Sequence, residues 1–207
     1  MSDVRVVGYH DISFWREGSI GIVVFRSNTA GIASENAIKE AISVLGIASV
    51  DSDVRALALT GMNSIFLRGI QWGKSVDLGA IRAFVSLLIG LDKPVFTIVN
   101  GDAINEGYEI AMLGDVVIAS EGSMLGLSPG YRFSMCGSLS MSRSRRLWIS
   151  RAEAGVNCDI VLPRERFLED ARSIMEENKG FQFHLMRRAR FSNFREALDA
   201  EHLAQVT

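Results

Sequence analysis

The stretch KPVFTIVNGDAINEGYEIAMLGDVVIASE, Lys93 to Glu121, decides the fold. Pro94 stops whatever helix precedes it, because it lacks an N–H and disfavours helical backbone before it. Val95 to Val99 (VFTIV) is a short β-branched and aromatic run, the mark of a buried strand. Gly107 to Leu113 reads as a short helix, and Val116 to Ala119 as the next strand. Two strands joined by a helix point the same way, because the crossover returns the chain to the edge it left.

The same rhythm extends toward the N-terminus. Ile20 to Phe25 (IGIVVF) is a strand candidate. Ser34 can cap a helix from Glu35 to Ile47, where Ile38, Ala41, Ile42 and Leu45 recur at helical spacing. Val54 to Thr60 (VRALALT) alternates as a strand, and Leu78 to Gly90 carries Ile81, Val85, Leu88 and Ile89 on one helical face. This order predicts an α/β fold with parallel strands and right-handed crossovers. Beyond it, Pro163 introduces a helix over Arg164 to Asn178, closed by Gly180 at C′, and Phe194 to Ala204 is a last helix. Phe167, Leu168, Ala171, Ile174 and Met175 read as packing residues. The expected division is a core over 1–147 and a helical C-terminal region over 148–207.

Composition excludes other classes. The chain has 207 residues, 48% hydrophobic and 22% charged, which suits one domain with a sizeable core and not a disordered polymer. A net charge of −2 exerts no general pull on nucleic acid. Residues 1–129 hold nine basic and 14 acidic side chains, whereas 130–207 hold 13 and 10, so the tail is the basic part. SRSRR (Ser142 to Arg146) and RRAR (Arg187 to Arg190) read as solvated or subunit-facing clusters. Two cysteines make neither a disulfide scaffold nor a structural zinc site, and the three histidines share no ligand spacing, so no metal is expected. No apolar run reaches membrane-spanning length and no signal peptide is visible, so a cytoplasmic protein without membrane or nucleic-acid partners is expected.

Two segments carry a more specific pattern. LTGMNSIFLRGIQ, Leu59 to Gln71, and the Lys93–Glu121 stretch together resemble the crotonase superfamily, the enoyl-CoA hydratase/isomerase relatives. Thr60, Gly61, Phe66 and Gly69 match the first family motif. Lys93, Pro94, Val95, Val99, Asn100, Gly101, Ala103, Gly107, Glu109, Ala111, Asp115 and Ile118 to Glu121 match the second, in register and without gaps. The resemblance implies a crotonase-like spiral of ββα units with a short helical C-terminal region, and binding of a coenzyme A thioester without any further cofactor. It also implies a homo-oligomer, a trimer or hexamer. The shared chemistry holds an enolate-like oxyanion on two backbone N–H groups, often the largest single catalytic contribution. By position these are the amides of Ile70, next to Gly69, and of Glu106, before Gly107. Glu109 falls on a catalytic glutamate of the hydratases; as a bare sequence feature it is equally a first-turn glutamate favouring its own helix dipole. Arg26 and Arg68 are candidates for the CoA phosphates.

The sequence also departs from that pattern. The second hydratase glutamate falls on Pro129 or Gly130 within LGLSPGYR, Leu125 to Arg132, and neither moves a proton. Two-carboxylate hydration is therefore disfavoured, while isomerisation, decarboxylation or other enolate chemistry with one acid survives. Asn105 and Glu106 replace two glycines of the family turn; Asn tolerates positive φ and Glu does so poorly. A Glu106 side chain turned inward would repel an oxyanion. Either the hole is distorted or Glu106 is itself an acid. Cys136 has no histidine placed to activate it and reads as an idle thiol. Tyr108 and Tyr131 read as packing residues. The region around Arg145 to Ala154 reads as one helix shorter than the family. The competing expectation is a degenerate homologue that binds a thioester or a partner protein without turnover.

Overall fold

Four times in succession a five- or six-residue strand is followed by short strand segments and then a helix. The computed structural model describes residues 7–141, 152–153 and 157–206. After a short edge hairpin, β1 (Val7–Gly8) and β2 (Ile12–Glu17), the units are as follows. The first is β3 (Ile20–Phe25), β4 (Ile32–Ser34) and α1 (Asn36–Val50). The second is β5 (Ala56–Gly61), β6 (Ile65–Leu67), β7 (Gly69–Gln71) and α2 (Leu78–Gly90). The third is β8 (Val95–Val99), β9 (Asp102–Ile104) and α3 (Glu106–Leu113). The fourth is β10 (Val116–Ser120), β11 (Met124–Gly126) and α4 (Gly137–Met141). There follow β12 (Ala152–Glu153), β13 (Ile160–Leu162), α5 (Phe167–Asn178), α6 (Phe183–Arg190) and α7 (Phe194–Val206).

The long strands build a seven-stranded sheet in the order β1-β2-β3-β5-β8-β10-β13. The short ones leave it: β6, β9 and β11 join β12 in a second sheet, and β4 pairs with β7. This is the expected ββα spiral. From β3 to β13 the main sheet is parallel, as the crossover helices require. The expectation of parallel strands throughout is corrected at the edge, where β1, β2 and β3 are antiparallel. The tight turn between Glu17 and Ile20 permits a hairpin, with Gly18 at φ 58°.

Both faces of this sheet are covered, and strict alternation sorts the side chains between them. Val23, Phe25, Leu57, Leu59, Val95, Val99, Val117 and Ala119 face α1, α2 and α3. Ile20, Ala56, Ala58, Phe96, Ile98 and Ile118 face α5 through Phe167, Ala171 and Met175. Period-two geometry with burial on both sides explains the near-continuous apolar runs in the sequence. Each Val, Leu, Ile, Phe or Met among them contributes about 1.5–3 kcal/mol when fully buried.

Many motif residues fasten this scaffold. Thr60 Oγ1 donates to Ile98 O (2.9 Å), and Asn100 Nδ2 donates to Gly61 O (2.9 Å), tying the ends of β5 and β8. Lys93 Nζ reaches the carbonyls of Ala48 and Asp51 at 2.5 and 2.6 Å, supplying donors that the end of α1 lacks. Asp115 Oδ2 accepts from Val95 N (2.8 Å) and is ion-paired with Arg187. Gly107 is fixed by close approach: a Cβ there would stand 1.9 Å from Leu67 O, so α3 lies directly on β6.

Several expectations need correction. Helix α1 begins at Asn36; Ser34 Oγ does accept from Asn36 N (3.2 Å), but Glu35 already has helical backbone and makes no side-chain cap. Arg164–Arg166 forms a 3-10 turn, so α5 starts only at Phe167. Gly180 does not adopt positive φ. Leu168 points outward at 65% exposure, while its neighbours on the other side of α5 pack inward. Helix α6 was not read from the sequence, and with it the RRAR cluster changes meaning. Arg187 is fully buried and donates to Leu91 O (2.6 Å), Lys93 O (3.1 Å) and Ile89 O (3.5 Å) besides pairing with Asp115. The carbonyls where α2 ends need donors, and the guanidinium supplies several at once. Ser142 to Arg146, most of the Arg145–Ala154 segment and the 147/148 boundary lie outside the described residues.

Candidate active site

Strand β7 and the start of α3 bring the expected residues together. Gly69 and Ile70 pair with Ile32 and Ala33 of β4, and α3 opens at Glu106 immediately after Asn105. The turn takes its unusual backbone at Asn105 (φ 53°, ψ −122°) and spares Glu106, which is already helical. Asn105 is held there on three sides. Its N–H donates to Gly126 O (3.0 Å), its side-chain oxygen accepts from Ser128 N (2.8 Å) and its carbonyl accepts from Glu109 N (3.0 Å). A residue that tolerates positive φ thus replaces glycine where the bend is sharpest.

The Glu106 side chain turns inward, not into solvent. It is 8% exposed and Oε1 accepts from the Trp72 indole N–H (3.3 Å). Oε2 lies 3.4 Å from where a Cβ on Gly69 would stand, against the β7 backbone. Burial raises its pKa; its own amide N–H, the Trp72 indole, the Ile70 N–H and the Tyr131 hydroxyl favour the charged form and oppose that rise.

One turn further along α3, Glu109 is 1% exposed. Oε2 accepts a short bond from the Tyr131 hydroxyl, and Ser134 N (3.2 Å to Oε2) and Met135 N (3.2 Å to Oε1) also donate to it. Burial pushes its pKa up to about 8, and the nearby Glu201 charge adds to that against the hydrogen bonds. A carboxyl in such a place keeps its proton at neutral pH. Gly137 is required beside it, since a Cβ there would stand 2.1 Å from Glu109 Oε1.

Helix α7 holds the loop over Glu109. Glu201 accepts from Cys136 N (3.0 Å) and Ser138 N (2.7 Å), and His202 Nε2 lies 3.3 Å from Ser134 O. Cys136 is buried, and burial with the two neighbouring carboxylates pushes its thiol up to about 12. Ser128, Pro129 and Gly130 form an exposed turn, so no carboxylate stands at the second glutamate position. Tyr131, read from the sequence as a packing residue, contacts Glu109 instead, and burial and the adjacent carboxylates raise its pKa.

The arginines lie apart from this cluster. Arg26 is exposed, donates to Ser13 Oγ (2.9 and 2.6 Å), and lines a shallow cavity of about 450 Å³ that runs past Ser34 to Gln71, the neighbour of Ile70. Arg68 pairs with Asp102 (2.7 Å) and does not line that cavity. A separate apolar cavity of about 550 Å³ lies between β3, β5 and α5, on the sheet face away from Glu109, and shares no lining residue with the Glu106–Glu109 cluster. Among the described residues no group of three or more His, Cys, Asp or Glu is arranged for a metal ion, and no helix is long and apolar enough to cross a membrane.

A ββα spiral that sets a strand amide beside a helix start defines a fold class, and comparison with known proteins agrees. No family model matches the chain. It is similar to a short-chain-enoyl-CoA hydratase of Clostridium acetobutylicum, 30% identical over 56% of this chain and 51% of that protein. It also resembles a probable mitochondrial enoyl-CoA hydratase of Dictyostelium discoideum, 27% identical over 54% of this chain and 43% of that protein. The chain thus matches about half the length of these curated relatives. Among solved structures, an enoyl-CoA hydratase from Mycobacterium avium subsp. paratuberculosis superposes with a TM-score of 0.81 at 18% identity, covering 94% of this chain and 92% of that one. The chain thus has the fold of these enoyl-CoA hydratase structures.

Proposed function

We propose that the chain binds an acyl-CoA thioester and acts on it through one carboxylic acid, Glu109, with the Ile70 and Glu106 amides as donors to the thioester oxygen. The observation that carries this reading is Glu109 itself: a buried carboxyl one helical turn past the Glu106 amide, with Tyr131 beside it and an exposed Ser-Pro-Gly turn at the other glutamate position. The relatives' names supply the substrate class, and the Arg26 cavity leading to Gln71 offers a route for the nucleotide end. Arg68 remains a candidate only if the Asp102 pair opens.

Glu109 as a neutral acid suits protonation of an enolate, the closing step of a decarboxylation or isomerisation. It suits poorly the activation of water, which needs a charged base. A pH profile separates these roles. Activity that needs the protonated acid falls as pH rises through about 8, whereas abstraction of a proton next to the thioester rises through it. Glu109→Gln is expected to lower turnover on the order of 10²–10⁴-fold with binding retained. Unchanged turnover contradicts the role.

A second reading has its own observation. Both Glu109 oxygens are engaged by the 131–135 loop, as a structural clamp would be, which favours a homologue that binds a thioester or partner protein without turnover. Under that reading Glu109→Gln loosens the loop and leaves no activity to lose. Oligomerisation as a trimer or hexamer is proposed by analogy with the superfamily, and sedimentation velocity tests it.

A further inference from the structure

We infer that the Glu106 carboxylate is an internal ligand of the oxyanion site, lying against the Ile70 and Glu106 amides where a thioester oxygen has to sit, and so decides which ligands the site accepts. The inference rests on the functional reading above for the thioester, but the carboxylate's position does not depend on it.

Several observations place it there. Glu106 is more than nine-tenths buried although it opens a helix, where a carboxylate is free to point into water. It turns toward β7, with Oε2 packed at Gly69 and Oε1 on the Trp72 indole. The groups favouring its charge are the Ile70 N–H, its own N–H, Trp72 and the Tyr131 hydroxyl, and among the described residues no cation is one of them. Two of these four are the amides assigned to the thioester oxygen. A cradle that stabilises a developing negative charge on substrate is thus already faced by a carboxyl group of the chain's own.

The consequence follows from relative bond strength. A hydrogen bond to a charged acceptor is roughly twice as strong as one to a neutral acceptor. Whenever Glu106 is ionised, a neutral thioester carbonyl therefore loses the competition for these donors, and an enolate oxyanion is repelled. Tight engagement requires Glu106 to leave. In the form shown, the acyl-thioester end adds little to binding, and affinity comes from the nucleotide end.

The test compares the whole chain with Glu106→Gly, which restores the family's residue, using butyryl-CoA and coenzyme A as probes in calorimetric titrations. The wild type is expected to bind both within about threefold of each other. Glu106→Gly should bind butyryl-CoA at least tenfold tighter than the wild type does, with coenzyme A unchanged; equal affinity of both forms for butyryl-CoA overturns the inference. A second readout needs no ligand. The Ile70 amide proton shift in the ¹⁵N-labelled chain should show a pH step that is present in the wild type and absent in both Glu106→Gly and Glu106→Gln. Among the described residues, Glu109 on the same helix and Tyr131 in the facing loop are the titratable groups beside Glu106, and Arg68 next to β7 is paired with Asp102. Only the step that vanishes with Glu106 therefore counts, and its persistence in both variants overturns the inference. If neither form binds either nucleotide, the functional reading falls, and the Ile70 step still decides where the carboxylate sits.

Discussion

The ends of β5 and β8 and the start of α3 lie close together, yet they keep the family pattern to different degrees. At the strand ends Thr60, Gly61, Asn100 and Gly101 all match it, and their side chains and close approaches tie one strand to the next. At the helix start and in the facing 127–137 loop the pattern breaks, through Asn105, Glu106 and the Pro129–Gly130 turn. Most matched residues thus report scaffold mechanics, whereas the proposed site lies where the matches fail. Glu109 is the exception, matched and buried in the site itself.

Breaking the scaffold side of this comparison should give the largest effects. Arg187→Met removes a buried cation and leaves Asp115 and the carbonyls at the end of α2 without it, so a loss of about 3–5 kcal/mol is expected in urea unfolding. A loss under about 1 kcal/mol contradicts the buried-pair account. Gly107→Ala comes next. Its new methyl meets Leu67 O, α3 must shift off β6, and a cost of about 1–3 kcal/mol follows.

Glu109 has a folded pKa of about 8 against 4.5 for the free side chain, so the folded state holds the proton more tightly. Its contribution is present in full below about pH 4.5 and is lost as pH rises toward and through 8. Thermal midpoints should therefore fall between pH 5 and 8 in the wild type, with a shallower fall in Glu109→Gln. Parallel curves contradict the burial argument. The smallest effect belongs to Arg68→Ala, a half-exposed pair with Asp102 worth about 0–1 kcal/mol, readable as a nearly unchanged unfolding midpoint.

Much of this organisation was legible in the sequence because it obeys short-range periodicity. The βαβ rhythm gave β3, β5, β8, β10 and helices α1, α2 and α3 to within a few residues. The three-residue strands of the smaller sheets carry too little periodicity to read, and α6 hides its buried face behind arginines. Arg187 looked like surface charge because burial of a cation depends on carbonyls nearly a hundred positions away. In the candidate site, position pointed to Ile70, Glu106 and Glu109, which the fold brings together, while the contacts of Glu201 and Trp72 were not foreseen. Each meets its partner only through tertiary packing, Glu201 by way of α7 and Trp72 across the turn after β7. The inward turn of Glu106 could be posed as a choice from sequence, but only packing decides it.

The most direct test of the central claim is deuterium incorporation next to the thioester of butyryl-CoA in D₂O, followed by mass spectrometry. It compares Glu106→Gly with the double variant Glu106→Gly/Glu109→Gln. Exchange by the single variant that drops on the order of 10²–10⁴-fold in the double variant is the result this account predicts. Equal exchange in both, or none in the single variant while butyryl-CoA is bound, would contradict an oxyanion site served by Glu109.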